Sequence, residues 1–180
     1  MVLQQALNDF YTQNKLEKEG GSNNNWFYLH FNLFSIKVPN SDFRKKVIHI
    51  HDIQHVLYNC DTTWKGEAFI AGWEIATGMW KHLPIGFMSI WAMGFSLLNY
   101  PTEVINGYKE GLKVTGIIDL KLSKEQLLQL TISQVKEKIK RKHPLKMNIF
   151  QRCIFLFWVS ISLLSVLFPL VLLLILYLIF

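Results

Sequence analysis

Four side chains that can bind a metal ion are concentrated in one short stretch of the sequence. His51, Asp52 and His55 lie within five residues, and Glu67 follows after eleven more. On a helix each residue turns about 100°, so His51 and His55 are about 40° apart and Asp52 lies within about 100° of His51. Two imidazoles and two carboxylates form a mixed nitrogen and oxygen ligand set. Such a set suits Zn²⁺ and, with an open side, Fe²⁺. The spacing therefore predicts a divalent metal site without choosing between these metals.

Two further residues near this set, Glu74 and His49, are not among its predicted ligands. Glu74 follows Glu67 by seven residues and falls about 20° from it around the same helix face. It is the candidate catalytic residue, as a general base or proton carrier, with a spare-ligand role or an ion pair to Lys or Arg as alternatives. His49 is about 160° from His51 and is excluded from the site.

The positioning elements are two helices joined by a short turn. Asn40 or Ser41 is predicted to cap a helix that runs to about residue 58. Residues 59–63 form a turn in which Asp61, Thr62 or Thr63 can cap the next helix, about 64–80. An antiparallel return of that helix would bring Glu67 to the two histidines.

The remaining segments predict an all-α fold, a compact helical domain followed by a C-terminal transmembrane helix. Amphipathic helices are expected at 3–18 and 124–141, and another helix begins at Thr102. The aromatic-rich segment 26–38 is either extended or a short helix, and no strand pair is expected. The uncharged segment 83–100 is expected to be a buried or membrane-grazing helix, with a second membrane segment as the alternative.

The last 28 residues, 153–180, carry no charge and exceed the roughly 20 apolar residues that cross a bilayer. They are predicted to be a single-pass membrane anchor. Between residues 136 and 152 lie seven basic residues and one acid, Glu137, so this segment alone accounts for the +6 net charge of the chain. Basic residues beside an anchor mark its cytoplasmic side and attract anionic lipids.

The sequence therefore divides into a helical domain at 1–140, a basic linker at 141–152 and the anchor, with the helical domain in the cytoplasm. Outside residues 136–152 the basic and acidic residues balance, which argues against nucleic acid as a partner. Cys60 and Cys153 form no disulfide framework, in keeping with a reducing compartment.

The pattern His-Asp-x-x-His, eleven residues, Glu resembles the signature of the Coq4 family of ubiquinone-biosynthesis proteins. The surrounding residues Asp61-Thr-Thr-Trp-Lys-Gly-Glu67-Ala and Trp73-Glu74 agree with it, and a weaker similarity extends over about residues 40–140. The resemblance implies an all-helical fold, a divalent metal commonly taken as zinc, and a pocket for a polyprenyl lipid. It carries the metal-ligand role over to His51, Asp52, His55 and Glu67.

The same resemblance implies a role in building a quinone head group, either by oxidative removal of the C1 carboxylate or by organising other quinone-biosynthesis enzymes. This chain departs from the family in its short N-terminal region, in Asn59 where Gly is common, and in its C-terminal anchor. These departures bear on the substrate more than on the metal site.

Three functions are consistent with these features. The first is a metal-dependent enzyme, such as an oxidative decarboxylase, acting on a polyprenylated aromatic quinone precursor at the membrane. The second is a non-catalytic scaffold that presents an isoprenoid lipid, and the third is a metal-dependent lipid phosphohydrolase. Four tryptophans are expected to pack in the core or at the membrane interface, with a lipid pocket as the alternative: Trp64, Trp73, Trp80 and Trp91.

Overall fold

The computed structural model describes residues 1–30, 35–83 and 85–179. The described part holds eight α-helices and one β-hairpin, which confirms the predominantly helical fold class. Residues 31–34, within the segment whose conformation the sequence left open, lie outside the described residues. In chain order the elements are α1 (Leu3–Gln13), β1 (Trp26–His30), β2 (Ser35–Pro39), α2 (Asp42–Tyr58), α3 (Trp64–Thr77), α4 (Ile85–Asn99), α5 (Pro101–Gly111), α6 (Lys124–Leu128), α7 (Ile132–Ile139) and α8 (Ile149–Ile179).

Two compact units share the chain. The first comprises Met1–Asn59 and Leu122–Lys136, and the second comprises Cys60–Lys121 and Glu137–Phe180. The first unit therefore contains the two histidines of the predicted metal site, and the second contains Glu67 and Glu74.

The expectation that no strands pair is wrong for residues 26–39. β1 and β2 form an antiparallel hairpin in which Phe27 is opposite Val38 and Tyr28 is opposite Lys37. Phe27 and Val38 are half-buried, and the guanidinium of Arg44 lies over the Phe27 ring, 4.0 Å from its centroid. Successive strand residues face opposite sides, so Phe27 faces Arg44 of α2 while Trp26 and Tyr28 are exposed.

The N-terminal helix of the first unit is shorter than predicted. α1 buries the expected apolar face, including Leu3, Leu7 and Phe10, but it ends at Gln13 instead of residue 18. The side chain of Asn14 donates to the carbonyl oxygen of Phe10, and Lys15 follows with a positive φ of 53°. A left-handed residue ends a helix, so the charged residues after Lys15 do not extend it.

The helix predicted at 124–141 is interrupted. α6 begins with the expected capping box, in which the Ser123 hydroxyl accepts from the Gln126 N–H and the Gln126 side chain accepts from the Ser123 N–H. A second pair of the same kind joins Thr131 and Gln134, and α7 begins at this point. Thr-x-x-Gln is itself a helix-start pattern, so the sequence contained the signal for two helices instead of one.

Close contact between α3 and α5 organises the second unit. A Cβ atom built on Gly72 would lie 2.1 Å from the carbonyl oxygen of Val104, and one built on Gly107 would lie 1.9 Å from that of Phe69. Neither approach leaves room for a side chain, so these glycines let the two backbones touch. The apolar core of the unit then forms around Ala68, Ile75, Val104 and Tyr108.

The C-terminal helix is the longest element. α8 begins four residues before the predicted anchor and runs to the last described residue. It is long and apolar enough to cross a membrane, and Pro169 lies inside it. The charge-free segment 83–100 is also largely helical, as expected, and forms α4.

Gly107→Ala is expected to destabilise the second unit, because the new methyl group cannot fit against the Phe69 carbonyl. Overpacking of this kind costs about 1–3 kcal/mol of unfolding free energy. Thermal unfolding in detergent micelles, followed by circular dichroism, measures the effect. The control is Asn106→Ala on the exposed side of the same helix, where alanine is a better helix former. An unchanged midpoint for Gly107→Ala would contradict the described packing.

Candidate metal site

Helix α2 holds three of the four predicted ligands, and both of its ends are fixed locally. The Ser41 hydroxyl accepts from the Arg44 N–H at 3.2 Å, which confirms one of the two predicted caps. Asn59 ends the helix in the left-handed conformation, and its N–H donates to the His55 carbonyl oxygen. Asparagine tolerates this conformation better than most residues with a side chain.

The two histidines of α2 converge. His51 Nε2 lies 3.2 Å from His55 Nε2, and the two rings meet edge to face. Two nitrogens that share a tetrahedral zinc, each about 2.05 Å from the ion, would be about 3.4 Å apart. A proton held between the two nitrogens would give a similar separation. The predicted spacing therefore brings both ring nitrogens to one point, where either a proton or a metal ion fits.

Asp52 lies beside the histidines on α2 but has a contact of its own. Its carboxylate is 6% exposed, and its Oδ2 accepts a hydrogen bond from the Tyr11 hydroxyl at 2.8 Å. The loop before β1 presses against the same oxygen, since a Cβ atom on Gly20 would lie 2.5 Å from it. The ligand role of Asp52 stays a prediction. The hydrogen bond from Tyr11 gives it a second role, which is to fix the start of the His51–His55 turn.

The charge of Asp52 is set by opposing effects. Burial raises the pKa of its carboxyl above the usual range, whereas positive charge on His51, the hydrogen bond from Tyr11, and the charges of His55 and Arg44 act to lower it. Burial also raises the pKa of the Tyr11 hydroxyl, and the Asp52 charge raises it further. Tyr11 is therefore the proton donor of this pair throughout the physiological pH range.

Glu67 lies in the first turn of α3, in the second unit. The turn before it is tight, because the Asp61 carboxylate accepts from both the N–H and the hydroxyl of Thr63. Gly66 lies against the Asp61 carbonyl oxygen, where a Cβ atom would be 2.1 Å away. His51, His55 and Glu67 each offer one ligand atom, and together they form a group that could hold a metal ion.

Glu74, the predicted catalytic residue, is buried in the second unit. Its side chain is 3% exposed, and its Oε2 accepts a hydrogen bond of 2.6 Å from the Ser89 hydroxyl of α4. A buried carboxylate needs such partners, since removing it from water is otherwise costly. The arrangement places the Glu74 carboxyl group in an enclosed setting beside a hydroxyl donor.

Sequence reasoning missed both hydroxyl donors. Tyr11 is 41 residues from Asp52, and Ser89 is 15 residues from Glu74. Tyr11 appears in the sequence only as an apolar position of α1, and Ser89 as one of the few polar residues of an apolar helix. No local pattern marks either as the partner of a carboxylate.

The four tryptophans do not share one environment. Trp73 is fully buried in α3, as expected of a core residue. Trp80 is exposed on one side and packs against Trp158 of α8, with ring centroids 5.0 Å apart. Trp64 and Trp91 are half-buried and both lie against Phe95.

Comparison with protein-family models, with curated proteins and with solved structures finds no match for this chain.

Tyr11→Phe is expected to lower the free energy of unfolding by about 1.5–3 kcal/mol, the usual size for a hydrogen bond to a charged group. The substitution keeps the buried ring and removes only the hydroxyl that donates to Asp52. Urea-induced unfolding in detergent micelles measures the change. Tyr100→Phe, at a partly exposed tyrosine, is the matched control. Equal midpoints for the two variants would show that the Tyr11 hydroxyl adds no stability.

Proposed function

We propose that this protein is a membrane-anchored, metal-dependent protein that acts on a polyprenylated aromatic quinone precursor. The observation that carries the proposal is the convergence of His51 Nε2 and His55 Nε2 to 3.2 Å on one helix. The residue pattern similar to the Coq4 signature supplies the substrate class. The reaction proposed is oxidative decarboxylation at the head group, with dioxygen as the oxidant. Since zinc has no redox chemistry, this reaction would need the iron(II) form of the site.

The proposed metal ligands are His51, His55 and Glu67, with Asp52 as the fourth candidate. The donors fit a divalent ion, because neutral imidazole and carboxylate suit both Zn²⁺ and Fe²⁺. Glu67 is assigned from connectivity: only residues 59–63 separate α2 from α3, and Glu67 lies in the first turn after them. The metal proposed first is zinc, with iron(II) as the alternative.

The number of ligands bears on whether the site is catalytic. Four protein ligands would close a tetrahedral site, whereas three leave a position for water or substrate. Because Asp52 Oδ2 already accepts from Tyr11, we assign Asp52 a supporting role beside a three-ligand site. An open ion of this kind would supply Lewis-acid chemistry at the substrate head group.

Glu74 is the proposed proton carrier. Seven residues advance a helix by about 10.5 Å, which is too far for Glu74 to share one ion with Glu67. Its position two turns along the same face instead suits proton transfer to a substrate that extends along α3. Burial keeps water from its carboxyl group, and the Ser89 hydroxyl holds that group in place.

The membrane part of the proposal rests on α8 and on the basic residues before it. The helix is long and apolar enough to cross a bilayer. The +6 charge of residues 136–152 favours a cytoplasmic location for both compact units. A polyprenylated substrate would lie in the same membrane as the anchor. The anchored protein would therefore meet its substrate by diffusion in the two dimensions of the membrane.

Metal content tests the site directly. The purified protein is expected to contain about one equivalent of a divalent metal. His51→Ala and His55→Ala are each expected to lose most of this metal, because removal of one ligand strongly weakens binding of the ion by the remaining ligands. His49→Ala is the matched control, because His49 lies on the same helix outside the predicted ligand set. Plasma mass spectrometry measures the content. Equal metal in all three variants would remove the metal proposal.

The quinone intermediates present in a deletion strain distinguish the enzyme function from the scaffold function. If the protein is the enzyme, a strain that lacks it is expected to accumulate a carboxylated polyprenyl precursor. A strain that carries Glu74→Gln is expected to accumulate the same precursor, although the variant protein keeps its metal. Liquid chromatography with mass spectrometry measures the intermediates. Loss of all late intermediates in the deletion strain, with full rescue by Glu74→Gln, would instead favour the scaffold. An unchanged profile in the deletion strain would exclude both functions.

A further inference from the structure

Helix α4 has an apolar outer face that its own unit does not cover. Its inner face buries Ile85, Ser89 and Met93, whereas Phe87 and Leu98 on the opposite side are 56% and 55% exposed. The two exposed residues are eleven positions apart and therefore lie on one face of the helix. Residues 83–100 contain no charged side chain, so nothing on this face favours contact with water.

α4 packs closely against the first half of α8. A Cβ atom on Gly94 would lie 2.3 Å from the Ser162 carbonyl oxygen and 2.7 Å from Val166 Cγ2, so the two helices touch through a residue without a side chain. The buried stripe of α8 consists of Phe155, Ser162 and Val166. Small residues at such contacts are characteristic of helices that pack inside membranes.

The contact with α4 lies in the middle of the candidate membrane span. That span is Ile149–Ile179, and a hydrocarbon core about 30 Å thick needs about 20 helical residues. Any run of about 20 residues within this span includes Ser162 and Val166, against which Gly94 packs.

From this overlap we infer that α4 enters the bilayer together with α8, with its outer face against lipid acyl chains. The inference rests on the proposed membrane anchor. It places Trp80, just before α4 and in contact with Trp158 of α8, near the membrane–water interface, where tryptophan is enriched. The Lys81 ammonium lies over the Trp80 ring, 5.3 Å from its centroid, and sits at the same polar boundary.

This placement gives α4 a part in reaching the substrate. Its outer face meets lipid through Phe87 and Leu98, while its inner face carries the Ser89 hydroxyl that holds Glu74. One helix thus separates the acyl chains from the proposed proton carrier. A substrate with a polyprenyl tail can stay in the bilayer while its head group approaches α3 around this helix.

Depth-dependent fluorescence quenching tests the inference on the full chain. Cys60 and Cys153 are replaced by Ser, and single cysteines are placed at Phe87, Leu98, Asn106 or Leu176 and labelled with a nitrobenzoxadiazole fluorophore. The proteins are reconstituted in phosphatidylcholine–phosphatidylglycerol vesicles (3:1). Quenching by doxyl groups on the acyl chains is compared with quenching by aqueous iodide. Circular dichroism of each labelled protein establishes that it is folded.

Labels at Phe87, Leu98 and Leu176 are expected to show at least twofold more quenching by the acyl-chain doxyl groups than the label at Asn106, which is an exposed polar position of α5. The same three labels are expected to be protected from quenching by iodide. Lipid quenching at Leu176 alone would overturn the inference about α4 and leave the anchor in place. Absence of lipid quenching at Leu176 would overturn the proposed anchor, and the inference about α4 with it.

Discussion

Backbone contact between α3 and α5 is the constraint on which the second unit depends. Gly72 and Gly107 allow the two helices to approach until carbonyl oxygens fill the space where side chains would be. At this distance the small and β-branched residues between them, such as Ala68 and Val104, form a tight core. α3 carries Glu67 at its start and Glu74 near its end. The position of both carboxylates is therefore fixed by a packing contact that involves neither of them.

Two buried carboxylates in the described part of the chain accept hydrogen bonds from hydroxyl groups on other helices. Asp52 accepts from Tyr11, and Glu74 accepts from Ser89. A hydroxyl donor offsets part of the cost of burying a carboxylate and favours its ionised form. At Asp52 the charges of the two neighbouring histidines and of Arg44 act in the same direction.

Much of the local structure could be predicted from the sequence, because its signals are local. Ser41, Ser123 and Asn59 act within four residues, and the helical spacing of His51 and His55 brings their rings together as the 100° turn requires. The partners of the site could not be predicted, since Tyr11 and Ser89 reach it through tertiary packing. The hairpin at 26–39 was missed because its aromatic run has no clear turn signal. The break at Thr131 was missed although its capping pattern was present in the sequence.

The depth of α4 connects the anchor to the chemistry proposed for the chain. A polyprenyl tail is strongly favoured in hydrocarbon, at about 0.8 kcal/mol for each buried methylene group, so a site that withdrew the whole substrate into water would have to overcome that preference. A helical unit set partly into the bilayer avoids the withdrawal, because only the aromatic head group needs to leave the lipid. The inner face of α4 is apolar except for two buried serines, Ser89 and Ser96. Ser89 holds the carboxylate that is proposed to move the proton.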